Sequence, residues 1–403
     1  MITQVNTTQL PSWLPPGGQN LFQAAKQQMQ AAQAAGTKTV DLMIGQPQGP
    51  AILAARQGAS AAVLSDSTAM HGYQDNGSPA VPGFAKQFVG FHRKQLLPDS
   101  VAYLPIPGIK SMLKLVLLAC GAKAGHGKRL QVMTCTDPGY PTPKNWASRF
   151  NCVVLEPPLA YCGFKLTVPQ LERFTPELVM ANYPHNPSGQ IMTARDWRDV
   201  CLYCQEHGVR LFNDAAYAGL VYDAEACTLA EVAVEFPSLS WAEAYSASKL
   251  IANGTGWRVG AMVGSRDFID DIATIKGDAD SGFVGFAAAG VLAGITHGRD
   301  EIESVRRTYH SRLQRLIKTL TGHGMQLACT PRAGFFTLWH APKQAFDTRL
   351  DGDANRFNEL MGAQAGIMGI PFDQYVRYAV CGSAVDVQID QISGAFARAN
   401  VSY

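Results

Sequence analysis

The chain has 403 residues, a formal net charge of +2, 47% apolar side chains and only 16% charged ones. Its length exceeds what one hydrophobic core usually serves, so two domains are expected. The charged fraction lies below the roughly 25% typical of soluble domains, which implies surface hidden in an oligomer, and no basic stripe is present to hold nucleic acid.

The nine cysteines are scattered, form no disulfide framework and fit a reducing compartment. Cys201 and Cys204 make a CxxC within WRDVCLYCQEHG, but no second pair stands at zinc-ligand spacing. They read as buried helix thiols, and no metal is expected. The opening MITQVNTTQLPSWLPPGG lacks the basic start and apolar core of a signal peptide. The most apolar later run, Phe283–Ile295, is too short to cross a bilayer and rich in Gly and Ala, so it reads as a tightly packed core helix. These features predict a cytoplasmic protein with no membrane partner.

In chain order, a Pro/Gly-rich arm leads to a helix over Leu21–Ala35 and a short apolar strand, VDLMIG, ending near Gly45. From about residue 72 to 290 helical stretches alternate with apolar strands: QVMTC, CVVLEP, ELVMANY, VRLFND, WAEAYS and GAMVG. Such alternation predicts a three-layer αβα domain around a mostly parallel sheet. Beyond residue 290 come a long charged helix (Arg299–Leu320), CTPRAGFFTLWHAP, a helix over Asp353–Ala365, the strand YVRYAV and a terminal helix near Val385–Ala399. This part reads as a smaller α+β domain. The expected division is 1–47 for the arm and part of the small domain, 48–290 for the large domain and 291–403 for the small one.

Open α/β sheets bind ligands outside the carboxyl ends of their strands. Four strand candidates run there into polar or aromatic residues: QVMTC into DPGYP, ELVMANY into PHNPSG, VRLFND into AAY, and WAEAYS into ASK. Lys249 follows Ser246 and Ser248 and precedes Arg258. An amine beside phosphate donors suits pyridoxal 5′-phosphate, whose aldehyde forms a Schiff base with lysine. Asp214, ending an apolar strand, would be costly to bury unpaired; it could meet a protonated pyridine nitrogen, or it could cap the following helix. Tyr217 and the Asn186 amide could donate to the ring's 3′ oxygen, although Asn186–Gly189 also reads as a plain β-turn. Tyr140 is a candidate to stack on the ring. Gly108, Ile109 and Lys110 open a helix (Lys110–Cys120) whose N-terminus could bind phosphate.

The ordered set resembles the aspartate-aminotransferase-like, fold-type I pyridoxal-phosphate enzymes of class I/II. It comprises Gly45 in IGQP, Tyr73 in HGYQDNGSP, Gly108 in IPGIK, Tyr140 in DPGYP, Asn186 in NYPHNPSG, Asp214 and Tyr217 in NDAAY, Lys249 in SASK, Arg258 in GWRVG and Arg377 in YVRYAV. The resemblance implies the pyridoxal-phosphate transferase fold and a ping-pong aminotransferase acting on an amino acid and a 2-oxo acid. It further implies that Arg377 binds the substrate α-carboxylate, with Gly45 and Asn186 beside it. Tyr73 would reach the cofactor phosphate of a neighbouring subunit, making a homodimer with shared sites. A β-elimination, as in carbon–sulfur lyases, or a cyclisation on the same fold is the alternative. Three departures stand out: one extra residue between Lys249 and Arg258, Pro and Ile in the phosphate turn, and a short loop before the arginine strand. Side-chain specificity is therefore open, with Arg56, Arg332 and His71 as candidates for a second carboxylate. GAKAGHGK resembles a P-loop, but its glycine-to-lysine spacing is wrong, and no GxGxxG marks a dinucleotide site.

Overall fold

A computed structural model describes residues 21–34, 36, 38–122 and 128–403. The N-terminal arm and most of GAKAGHGK lie outside these residues. The strands, in chain order, are β1 (Val40–Asp41), β2 (Ala102–Ile106), β3 (Gln131–Thr134), β4 (Val153–Leu155), β5 (Leu178–Ala181), β6 (Arg210–Asp214), β7 (Trp241–Ser246), β8 (Gly260–Gly264), β9 (Phe336–His340), β10 (Gln344–Ala345), β11 (Thr348–Arg349), β12 (Ile367–Met368), β13 (Ile370–Phe372) and β14 (Tyr375–Ala379). Seven form the main sheet in the order β2-β8-β7-β6-β5-β3-β4. Only β8 runs against the rest, pairing antiparallel with both β2 and β7.

All six strands expected between residues 131 and 264 are present. The seventh, β2, was not among the expected ones because Pro105 interrupts it. Proline removes a ladder donor and is tolerated at a sheet edge, and β2 is the edge strand, with Pro105 opposite Ala261.

Alternate residues of these strands feed two cores, as the two-residue period requires. Met133, Val179, Leu211, Trp241 and Val263 join one cluster, with Trp197, Phe88 and Val291 from helices on that face. Val132, Leu178, Phe212, Ala242 and Met262 join the other, with Leu113, Val116 and Phe268. Covering on both faces explains why β5, β7 and β8 are buried along their whole length. Cys201 and Cys204 are buried thiols of helix Ala194–His207, on the first of these faces.

The remaining chain builds a three-stranded antiparallel sheet, β13-β14-β9, under helix Arg299–Gly322 and the C-terminal helices. The expected terminal helix is broken into Ala384–Val387 and Ile389–Ala399. Strand β1 pairs in parallel with β12, so the segment before Gly45 is stitched to this smaller layer. Residue 290, the expected boundary, falls inside helix Gly285–His297, which lies along helix Leu53–Val63. Their contact is backbone-close: a Cβ on Gly290 would stand 2.6 Å from the Ala55 carbonyl oxygen and 2.7 Å from the Ala59 Cβ. Overpacking of this kind typically costs about 1–3 kcal/mol. Gly290→Ala should accordingly lower the urea midpoint of unfolding with an unchanged slope; an unaltered midpoint would show that the helices can part without cost.

Candidate active site

Strands β5, β6 and β7 end side by side: Ala181 pairs with Asn213 and Asp214 with Ala244, while Ser246 faces Gly260 at the start of β8. Because β8 is antiparallel, its amino end reaches the same edge, and Arg258 is delivered two residues before it. Ile106, the last residue of β2, also pairs with Gly260, bringing Gly108 there. The predicted exits therefore converge on one cavity of about 640 Å³. Twelve of the fourteen candidate residues line it: Gly45, Ile109, Lys110, Tyr140, Asn186, Asp214, Tyr217, Ser246, Ser248, Lys249, Arg258 and Arg377.

Gly108 lies just beneath, with φ +80° and the Arg258 guanidinium where a Cβ would be, 2.5 Å away. Only glycine satisfies both the backbone angle and that approach. Gly108 caps helix Ile109–Ala119 with no side-chain acceptor, so the first N–H groups of the helix face the cavity edge uncapped. Between Lys249 and Arg258 the backbone is left-handed at Ala252 (φ 60°), and it is left-handed again at Arg258 itself (φ 55°). Arg258 donates to Thr255 O (2.8 Å) and keeps its place in the cavity wall. Next to it, Ser246 Oγ and Ser248 Oγ are 2.9 Å apart. Two hydroxyls, a guanidinium and a helix N-terminus make a phosphate-binding donor set.

Asp214 is 6% exposed, and one carboxylate oxygen accepts from Ala216 N at 3.1 Å. Burial pushes its pKa up to about 7, against the opposing pull of that N–H and of Lys249. Burial also pushes Lys249 down to about 8, opposed by Cys381 and reinforced by Arg258. Arg377 is 1% exposed; it donates to Asn186 Oδ1 (3.0 Å) and Met43 O (2.6 Å), and its guanidinium lies 4.1 Å from the Phe336 ring centre. Burial draws it down to about 10, so a carboxylate entering the cavity would relieve a desolvated cation. Gly45 is required beside it, since a Cβ there would stand 2.8 Å from Phe336.

Tyr73 does not line the cavity; it is 79% exposed. None of the three candidates for a second carboxylate lines it either. Arg332 is paired with Asp223 and Glu225 at 2.6 Å each, Arg56 donates to Ala51 O, and His71 bonds Ser65 O. His185 is a buried turn residue, bonded to Ser188 Oγ at 2.7 Å. Sequence reasoning missed Asn182, whose Nδ2 donates to Asp214 O (2.8 Å) while its Oδ1 accepts from Asn186 N (3.2 Å). One amide thus ties two strand exits together, and its place directly after β5 was the available signal. Lys26, Gln46, Thr255, Phe336 and Ile370 also line the cavity without having been singled out.

The family described as Aminotransferase class I and II matches residues 37–376. The LL-diaminopimelate aminotransferase of Methanocaldococcus jannaschii is 29% identical over 327 residues, 78% of this chain and 74% of that protein. Other relatives of that name match over 49% to 62% of their own length. Among solved structures, aspartate aminotransferase from Rhizobium meliloti superposes with a TM-score of 0.82 at 20% identity, covering 96% of this chain and 99% of that one. An aminotransferase from Mycobacterium tuberculosis gives 0.78 at 22%, covering 96% of each chain. These likenesses carry the fold.

The chain belongs to the aminotransferase class I and II family. It is an aminotransferase of fold type I, and the elimination alternative gains no support from its relatives. Among the described residues no helix is long and apolar enough to cross a membrane.

The lowered pKa of Lys249 has a measurable consequence. Only the neutral amine attacks an aldehyde, so trapping of an aldehyde probe by borohydride at Lys249 should rise with pH to an inflection near 8. An inflection near that of free lysine, about 10.4, would contradict the desolvated environment.

Proposed function

We propose that this chain is a homodimeric, pyridoxal 5′-phosphate-dependent aminotransferase that carries an amino group from an L-amino acid to a 2-oxo acid in two half-reactions. One observation carries the reading: the Lys249 amine, the Asp214 carboxylate and the Arg377 guanidinium converge on a single cavity, with uncapped helix N–H groups and Arg258 at its edge. That donor set fits the coenzyme. When bound, the coenzyme supplies an aldehyde that condenses with amines and a ring that accepts the electron pair left at the substrate Cα.

The protein's own residues supply the rest. Arg258, Ser246, Ser248 and the N–H groups of Ile109 and Lys110 hold the phosphate. Asp214, whose buried carboxylate gains by meeting a cation, keeps a proton on the ring nitrogen; Tyr217 and Asn186 donate to the ring oxygen, and Tyr140 covers a ring face. Arg377 binds the substrate α-carboxylate, helped by Gly45 and by Asn186, which is already bonded to its guanidinium. Lys249, poised near neutrality, takes the proton from the substrate Cα and returns it during transfer. In this reading a large domain supplies the phosphate cradle and a smaller one bears Arg377, with the boundary after helix Gly285–His297 rather than at residue 290. Nine cysteines, none of them in a disulfide, support a cytoplasmic setting.

Tyr73 completes the site from a second subunit. It projects into solvent from an anchored loop: Gln74 N and Asp75 N donate to Ser281 O, and Asn76 joins Ala273 O (3.0 Å) and the buried Lys276 Nζ (3.1 Å). A phenol held out on so rigid a support, with Leu64 80% exposed nearby on the same group of helices, suits a partner surface.

Lys249→Ala should abolish both transfer and the borohydride-fixed coenzyme adduct, read by mass spectrometry of the peptide carrying residue 249. Transfer persisting in this variant would remove the reading. For the shared site, mixing inactive Lys249→Ala subunits with impaired Tyr73→Ala subunits should restore activity, because one site of each mixed dimer has both groups. Activity no higher than the sum of the separate variants would place Tyr73 outside catalysis.

A further inference from the structure

Glu243 is a fully buried acid that no step of the proposed reaction uses. It lies on β7, and the two-residue period of the strand turns it away from the cavity. Ala242 and Ala244 face one core and Ser246 lines the cavity, whereas Trp241 and Tyr245, on either side of Glu243 in that period, face the other core. An apolar side chain would fill such a place without the cost of burying a charge. The bonds it makes account for the acid.

Glu243 Oε1 accepts from Asn213 Nδ2 (2.8 Å) and Leu229 N (3.1 Å), and Oε2 from Ala230 N (2.8 Å) and Tyr245 Oη (2.6 Å). Three of these partners are N–H groups, which can only donate, so they favour the ionised form. Asn213, itself 1% exposed, carries the contact onward. Its Oδ1 accepts from Tyr183 N (2.8 Å), while Nδ2 also donates to Tyr183 O (2.9 Å). A side-chain amide can turn over and exchange its ends. The carboxylate accepts only from Nδ2, and so fixes which end meets Tyr183 N.

Tyr183 opens the turn that leads to Asn186, and its neighbour Asn182 accepts from Asn186 N (3.2 Å). The turn is thus pinned at two consecutive residues. Asn186 Oδ1 in turn accepts from the Arg377 guanidinium (3.0 Å). A continuous path therefore runs from Glu243 through the Asn213 amide and the Tyr183 turn to Arg377.

We propose that Glu243 is a positioning residue for the reaction: through Asn213 and Tyr183 it sets Asn186, and so aims Arg377 at the substrate carboxylate. The inference rests on the aminotransferase reading, in which Arg377 binds that carboxylate. Glu243 itself touches neither substrate nor coenzyme.

The test compares the holoenzyme with Glu243→Gln, Asn186→Ala and the double variant, with alanine as donor. Glutamine keeps the volume but removes the charge and turns an NH2 toward N–H donors. Glu243→Gln should raise the KM about fivefold, the size of one ordinary hydrogen bond. The kcat should hold within about twofold, and the absorbance of the bound coenzyme should not change. In the Asn186→Ala background the same substitution should raise the KM no further, because the effect travels through Asn186. Its loss of Tm should be equal in both backgrounds, since that cost is local. Asn213→Ser breaks the same path with Glu243 in place, and gives the same readings should Glu243→Gln not fold. A lower Tm with unaltered KM, or an equal rise of KM in both backgrounds, would leave Glu243 a structural residue only and overturn the proposal. Calorimetric titration with propanoate, which cannot react, should show the same fivefold weakening and the same dependence on Asn186. Absence of transfer from every donor would sink the parent reading, and the propanoate titration would still decide the role of Glu243. A native protein that binds no carboxylate would overturn the inference together with its premise.

Discussion

Strands β5, β6 and β7 end within a few residues of one another, each running one or two residues past the end of the one before, and that shared edge is the constraint on which the site depends. Beyond the strand ends Ala215 N still donates to Ala244 O and Ala247 N to Val259 O, and other backbone groups at this edge are satisfied by side chains. Asn182 does this for the Asp214 carbonyl and the Asn186 N–H. Asn213 does it one position earlier, accepting from Tyr183 N and donating to Tyr183 O and to Glu243. Glu243 is fully buried, yet it accepts four hydrogen bonds, from Asn213, Tyr245 Oη and the N–H groups of Leu229 and Ala230. A carboxylate so bonded tolerates burial. The floor under Asp214 and Lys249 is therefore a closed polar network, and the reactive groups stand on it without sharing its bonds.

What the sequence disclosed follows from what is local. Six strands of the main sheet were legible because covering on both faces makes them short and apolar. The exits were legible because polar residues follow those runs directly. Lys249, Asp214, Tyr217 and Asn186 each sit within a few residues of a strand end, so their convergence needed only the rule that ligands gather at carboxyl ends. Strand β2 was missed because Pro105 reads as an interruption, and only its edge position makes it acceptable. The second-carboxylate candidates failed for a different reason. Arg332 is neutralised by Asp223 and Glu225, 109 and 107 residues away in sequence, and no local pattern reports a pairing at that range. Lys26 was invisible for the same reason: it lines the cavity from a helix that packs on β13, more than three hundred residues later.

The segment from Lys249 to Arg258 shows how a site holds backbone strain. Two residues adopt left-handed backbone, a strain of order 1–3 kcal/mol each for side chains other than glycine. In return Arg258 remains packed over Gly108, where any larger residue would collide with it. The relation that is kept is between the guanidinium and the helix N-terminus. Gly108 and the Thr255 carbonyl hold that relation.

Charge explains why the cavity should bind anions at both ends. Asp214 and Lys249 are each drawn toward neutrality by burial, and Arg377 is lowered as well. All three shifts have desolvation as their leading cause, so an opposite charge entering the cavity would counter each of them. A cation against Asp214 and a carboxylate against Arg377 would relieve those two groups, while the Arg258 end offers donors to a further anion. The same arrangement penalises a ligand lacking any one of those charges, because a buried ion would then stay unmatched. On the proposed reading the coenzyme would match the charges of Arg258 and Asp214 and the substrate that of Arg377, so the wall's preference for charged ligands is set by burial before any chemistry begins.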